Sequence, residues 1–206
     1  MDEFTYHHYR HAGQPDAPLV IAFHGTGGDE TQFVPLIQQM LPQAGIVAPR
    51  GDVLEGGANR FFRRTGEGVY DMADLAQRTQ RMATFVAQVC AEHPGRPVYG
   101  LGFSNGANIL ASILFEQPQL FDRAALLHPL IPWTPEPQRG LAGKRVFVSA
   151  GTQDPICSLS QTQALIDWLA AQNTDIETAI LPGGHHVSNE ELTALHSFMT
   201  DASEAA

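Results

Sequence analysis

The chain has 206 residues, 43% of them hydrophobic, and a formal net charge of −10. That length and apolar content suit a single α/β domain spanning residues 1–206. The acidity argues against nucleic acid or an anionic membrane surface as partner, since the one basic cluster is Arg60-Phe61-Phe62-Arg63-Arg64.

Along the chain, the N-terminus Met1-Asp2-Glu3-Phe4-Thr5-Tyr6-His7-His8 has no apolar core of signal-peptide length, and no run of about 18 apolar residues follows. No stable membrane insertion is expected. The two cysteines, Cys90 and Cys157, exclude a disulfide framework and fit a reducing cytoplasm. The nine histidines include no His-Glu-x-x-His, and no paired Cys-x-x-Cys accompanies them, so neither a metal nor another cofactor is expected.

The first expected element is an edge strand over Phe4–His11. Leu19–Phe23 is continuously apolar and predicts a buried strand, ending in His24-Gly25-Thr26-Gly27-Gly28. Gly45–Ala48 predicts a short strand stopped by Pro49. From Asp71 to Glu92 the spacing predicts a long amphipathic helix, with acidic residues at its start and Pro94-Gly95 beyond its end. Pro97–Leu101 predicts a strand, Ala107–Phe115 a helix, and Ala124–Leu127 and Arg145–Ala150 two further strands. Ser158-x-x-Gln161 opens a helix over Leu159–Ala171 with the form of a capping box. A last strand is expected over Ile176–Leu181, and Ser188-x-x-Glu191 opens the final helix. Alternating strands and helices with apolar strands predict a mostly parallel sheet covered on both faces, with the site at the carboxyl ends of the strands.

The chemistry starts at Gly102-Phe103-Ser104-Asn105-Gly106, between the strand and the helix. A Gly-x-Ser-x-Gly in that place forms a nucleophile elbow, a turn too sharp for a Cβ on either flanking residue. A serine hydroxyl needs a base, and the base an orienting carboxylate. In this fold they follow in the order Ser, Asp, His. Asp154 in Gly151-Thr152-Gln153-Asp154-Pro155 and His185 in Gly183-Gly184-His185-His186 come after the last two strands, each interval leaving room for about one βα unit. The glycine pair lets the first histidine swing toward the serine, so His185 is expected as base and His186 as its neighbour. His24 reads as a brace of its loop and His128 as a brace of the pocket. The oxyanion donors are expected at the backbone N–H groups of Asn105 and Thr26. The glycine loop lacks the Gly-Lys-Ser/Thr and Gly-x-x-Gly patterns of nucleotide binding.

With these motifs and Asp29-Glu30, Ala107-Asn108 and Ile156-Cys157, the sequence resembles the phospholipase/carboxylesterase family of compact α/β-hydrolases from about Leu19 to Phe198. Pro49-Arg50-Gly51-Asp52 and Ala58-Asn59-Arg60-Phe61-Phe62-Arg63-Arg64 resemble its branch of hydroquinone-resistance hydrolases. The resemblance implies an α/β-hydrolase fold, a Ser104–Asp154–His185 triad, and Thr26 and Asn105 as donors, with no cofactor. A second histidine after the base departs from the family pattern. So does Asn105, where eukaryotic acyl-protein thioesterases commonly carry Gln.

The expected function is a serine carboxylesterase acting on a small-molecule ester. The alternatives are a lysophospholipase or acyl-protein thioesterase, a perhydrolase side activity, and a catalytically idle binding module. The short insert Pro129–Gly143, with four prolines, implies a minimal lid and an open site. Phe61, Phe62, Ile131, Trp133 and Ile156 stand as candidate substrate contacts, each equally suited to the core. Arg60, Arg63 and Arg64 read either as a solvated turn paired with Glu67, Asp71 or Asp74, or as a reader of an anionic substrate group through Arg60. A homodimer is compatible with the chain, which carries no signal for oligomeric state.

Overall fold

A computed structural model describes residues 5–201. Its centre is a seven-stranded sheet. Strand β1 (His8–His11) pairs antiparallel with β3 (Gly45–Pro49), and β3 pairs parallel with β2 (Leu19–Phe23). Between β3 and the next sheet strand lie two small hairpins, β4 (Val53–Glu55) with β5 (Ala58–Arg60) and β6 (Arg64–Gly66) with β7 (Val69–Tyr70). The sheet continues through β8 (Val98–Phe103), β9 (Arg123–Leu127), β10 (Arg145–Gly151) and β11 (Asp175–Leu181), in the order β1-β3-β2-β8-β9-β10-β11. Within this sheet every pairing except that of β1 is parallel, and the two hairpins are antiparallel.

Alternation along the strands divides the core in two. Ile21, Phe23, Leu126 and Val148 face α2 (Met72–Ala91), α3 (Asn105–Glu116) and α4 (Leu159–Ala171). Val20, Ala22, Leu127 and Phe147 face α1 (Val34–Met40) and α5 (Asn189–Thr200). Side chains of successive strand residues point to opposite faces, so a continuous apolar run fills both cores at once. Both expected capping boxes form, at Ser158 with Gln161 and at Ser188 with Glu191.

The expected elements need adjustment, most of all between the leading strand and the second hairpin, which was not expected. Other strand bounds move by one or two residues. The leading strand begins at His8, because Tyr6 leaves the sheet to pack edge-on against Phe85 of α2, with ring centroids 5.4 Å apart; Phe4 lies outside the described residues. Pro49 belongs to β3: the register with β2 ends at Val47, so the missing N–H of Pro49 removes no bond on that side. Helix α1 was not expected; it has no side-chain cap and no acidic residue in its first turn, and its one start signal is Pro35 in that turn. The β4–β5 hairpin turns at Gly56-Gly57, both at positive φ (58° and 88°), a pair that marks a tight hairpin in sequence.

Candidate active site

The end of β8 shows why the elbow needs its glycines. A Cβ on Gly102 would stand 2.5 Å from the Gly106 oxygen, and one on Gly106 only 2.1 Å from the Phe23 oxygen. With both absent, the chain turns within one residue. Ser104 takes φ 52° and ψ −117°, an unfavourable conformation for a side chain-bearing residue. Its amide is fixed to the Leu127 carbonyl at 2.9 Å, so the strained turn is anchored to β9. Helix α3 starts at the next residue. The Asn105 N–H therefore belongs to the first turn, whose amides have no partner within the helix, and its macrodipole presents partial positive charge there.

The loops after β10 and β11 are laced together. Thr152 and Gln153 donate their amides to the carbonyls of Leu181 and Gly183, both at 2.9 Å. Gly151 permits this approach, because a Cβ there would lie 2.4 Å from the Gly183 and Gly184 oxygens. The lacing brings His185 onto Asp154: Nδ1 lies 2.7 Å from Oδ2, and Nε2 lies 2.8 Å from Ser104 Oγ. Asp154 is an acceptor only, so His185 carries its proton on Nδ1 and turns the lone pair of Nε2 to the serine. His186 is exposed. Burial would raise the Asp154 carboxyl, but the N–H groups of Cys157 (2.9 Å) and Ile156 (2.8 Å) and the rings of His128 and His185 outweigh it, holding the pKa down at about 2. Asp154 is therefore ionised throughout the neutral range.

His24 braces the loop that carries Thr26. Gly51 N–H donates to its Nε2 (2.9 Å) and its Nδ1 faces the Gly25 carbonyl (2.7 Å), so Nδ1 holds the proton. Burial lowers its pKa and keeps it neutral. The β4–β5 hairpin holds the same loop from outside: Gly27 N–H bonds to the Asn59 carbonyl, the Asn59 amide to the Gly28 carbonyl, and Arg60 Nη1 to Thr26 Oγ1 at 2.8 Å.

A cavity of about 270 Å³ opens above Ser104, and Thr26, Arg60, Asn105, Ile156 and His185 all line it. Four expected contacts do not. Phe61 and Phe62 are buried in the core, where Phe61 packs on Phe23 and His24 while Phe62 meets Tyr70. Ile131 is buried as well, and Trp133 lines a separate groove between α2 and α3. Arg60, Phe61 and Phe62 are all buried where β5 ends: the guanidinium finds polar partners beside the cavity, and the two rings that follow join the core.

The expectation of a solvated arginine turn needs correction at one residue. Arg60 is buried, its Nε near the Phe62 carbonyl (3.3 Å) and Glu55 (3.2 Å). Arg64 shares Glu55, and Arg63 pairs with Asp74 at 3.9 Å with its side chain exposed. Sequence reading missed Tyr70 and Asn108. Asn108 donates to the Tyr70 hydroxyl (2.8 Å) and accepts from Leu130 N–H (2.7 Å), and the Tyr70 hydroxyl donates to the Leu130 carbonyl (2.9 Å). Asn108 could have been found, since it stands one helical turn after Ser104 on the same face.

Cys157 also lines the cavity, and burial raises its thiol to about 12, leaving it protonated at neutral pH. Among the described residues, His128, Asp154 and His185 bring potential metal-ligand atoms within 4.8 Å of one another. Both rings already spend a nitrogen on Asp154 Oδ2.

A parallel sheet with helices on both faces, with a serine on a strand-to-helix elbow and Asp and His on the following strand ends, defines an α/β-hydrolase, and the protein is an ester hydrolase. The chain belongs to the Dienelactone hydrolase family, whose model matches residues 5–206. It is 34% identical over 198 residues to MhqD of Bacillus subtilis (strain 168), covering 95% of this chain and 98% of that protein. The crystal structure of Agrobacterium tumefaciens str. C58 Atu2452, a protein of unknown function, superposes with a TM-score of 0.88 at 50% identity over 94% of this chain and 95% of that one. The Bacillus cereus carboxylesterase superposes with a TM-score of 0.90 at 34% identity, covering 95% and 93%. Among the described residues no helix is long and apolar enough to cross a membrane.

Proposed function

We propose that the protein is a serine carboxylesterase that cleaves small or flexible carboxylic esters through an acyl-enzyme. His185 takes the proton of Ser104 as Oγ attacks the ester carbonyl, and Asp154 holds the imidazole in the required tautomer. The N–H groups of Thr26 and Asn105 receive the negative charge that develops on the carbonyl oxygen. The alcohol leaves with the proton from His185, and a water activated by the same ring then frees the acid. The observation that carries this reading is the continuous chain from Ser104 Oγ through His185 to Asp154, at 2.8 and 2.7 Å. The cavity of about 270 Å³ sits at the lower end of ligand pockets and favours short acyl groups over the long chains of lysolipids and acylated proteins. The two free cysteines fit a reducing cytoplasm.

The test is hydrolysis of p-nitrophenyl acetate and butyrate by the wild type and by the Ser104→Ala, His185→Ala and His186→Ala variants. Activity should fall by about 10³-fold or more in the first two and persist in the third. Undiminished hydrolysis in Ser104→Ala ends the triad reading. A folded wild type that neither cleaves these esters nor reacts with a fluorophosphonate probe supports the idle binding module instead.

A further inference from the structure

Behind Asp154 stands a second histidine that the reaction scheme does not use. His128 follows β9 at φ 50°, a left-handed conformation, and its side chain is almost wholly buried. Its Nδ1 lies 2.9 Å from Asp154 Oδ2, the same oxygen that accepts from His185. Its Nε2 lies 3.3 Å from Oε2 of Glu191, at the start of α5. Glu191 is buried too, and its carboxylate accepts from the Ser149 hydroxyl and the Ser188 N–H. Among the described residues, the other groups set against His128 carry no fixed charge: β8 supplies the Phe103 ring, the loop after β11 the His185 ring at 5.3 Å, and the loop after β10 the Cys157 thiol on the His128 carbonyl.

A neutral imidazole has one donor and one acceptor nitrogen. Between two carboxylates, its acceptor nitrogen would point a lone pair at an anionic oxygen, in a dry environment where such repulsion is least screened. Asp154 has a full set of donors to its carboxylate, and Glu191 has two besides His128. The arrangement is satisfied when both ring nitrogens of His128 donate.

We propose that His128 is a positioning residue, a buried imidazolium clamped between Asp154 and Glu191 that shares Oδ2 of Asp154 with His185 and offsets its charge. The inference rests on the triad reading for its catalytic consequence, though not for the charge of His128. Burial pushes the His128 imidazole down, but its bonds to Glu191 and Asp154 overcome this, and the net shift is upward. The cation stands beside the His185 ring, with ring centroids 5.3 Å apart, and opposes positive charge that develops there during proton transfer. It also fixes the same Asp154 oxygen that receives the base's Nδ1–H.

Two measurements test this. In ¹⁵N-resolved NMR of the wild type at pH 7, His128 should show protons on both ring nitrogens, and Glu191→Gln should lower its titration midpoint by about one unit or more. A singly protonated His128 at pH 7 overturns the proposal whatever the catalytic role of Ser104. The second measurement is the pH dependence of kcat/KM for p-nitrophenyl acetate in His128→Asn. Asparagine tolerates the left-handed backbone and can donate to Asp154, but it carries no charge. The acid limb should move up by about one pH unit, a tenfold change in proton affinity. A folded variant whose limb stays in place while its rate falls evenly has lost packing alone, which also overturns the proposal. Activity surviving in Ser104→Ala would instead remove the triad reading and leave the NMR result standing.

Discussion

In the proposed oxyanion hole the donors are the backbone N–H groups of Thr26 and Asn105, and Arg60 braces the loop that carries the first of them. Arg60 was a candidate reader of anionic substrates. Its guanidinium is instead engaged by Thr26, Glu55 and the Phe62 carbonyl, so its main work is to hold the Thr26 loop. Arg60→Ala should therefore lower kcat on the order of tenfold, the worth of one charge-assisted bond, for neutral and carboxylate-bearing esters alike. A KM increase confined to carboxylate-bearing esters would return Arg60 to substrate recognition. Gly106 shapes the elbow that presents the Asn105 N–H. A methyl group at that position meets the Phe23 oxygen at 2.1 Å, and both atoms of the clash sit on rigid backbone. Gly106→Ala should cost about 3 kcal/mol or more in denaturant unfolding and abolish ester hydrolysis. A variant of unchanged stability would mean that the elbow relaxes more easily than its contacts imply.

Two elements share one capping motif and differ in what the cap does. Ser158 with Gln161 opens α4, and Ser188 with Glu191 opens α5. Removing either serine hydroxyl should cost about 1 kcal/mol, read from the thermal midpoint. The two should part in activity. Gln161 is half-buried and bonds back to Ser158 of its own cap, whereas Glu191 reaches from its capping box to Ser149 and His128 beneath Asp154. Ser158→Ala should leave kcat unchanged and Ser188→Ala should lower it, because the second frees a carboxylate that holds the site. Equal kcat values in both variants would show that Glu191 keeps its place without the cap. The sequence pattern was the same at both helices, so only the packing of α5 against β10 separated a local cap from one tied to the site.

Across the whole molecule, the buried ionic chain ties stability to pH from both sides. Asp154 titrates at about 2 in the folded protein against an ordinary 3.8, so its contribution is present above about pH 4 and is lost as the pH falls toward 2. His128 is shifted upward from 6.5, so its contribution is complete below that value and is lost as the pH rises through the folded pKa. The thermal midpoint should fall on both sides of the interval from about pH 4 to 6.5. Asp154→Asn should lessen the fall on the acid side, where Glu30, held down to about 2 by its bond with Arg50, also contributes. His128→Asn should lessen the fall on the alkaline side, and a wild-type midpoint level on both sides would show that these groups titrate alike in folded and unfolded chains.

The sequence by itself determined the parallel sheet and its two helical layers, because continuous apolar strand runs alternating with helical apolar spacing are local properties of the chain. It also located Ser104, Asp154 and His185, since each is tied to the end of a strand whose order the fold fixes. It chose His185 over His186 from the adjacent glycine pair. What lay beyond it depended on contacts between distant segments. The inward turn of Arg60, the burial of Phe61 and Phe62, the bridge from Asn108 through Tyr70 to Leu130, and the meeting of His128 with Glu191 join residues from separate loops and helices. No spacing along a chain encodes such meetings. Tertiary packing decided them, because a buried polar group must find its partner wherever the fold brings one within reach.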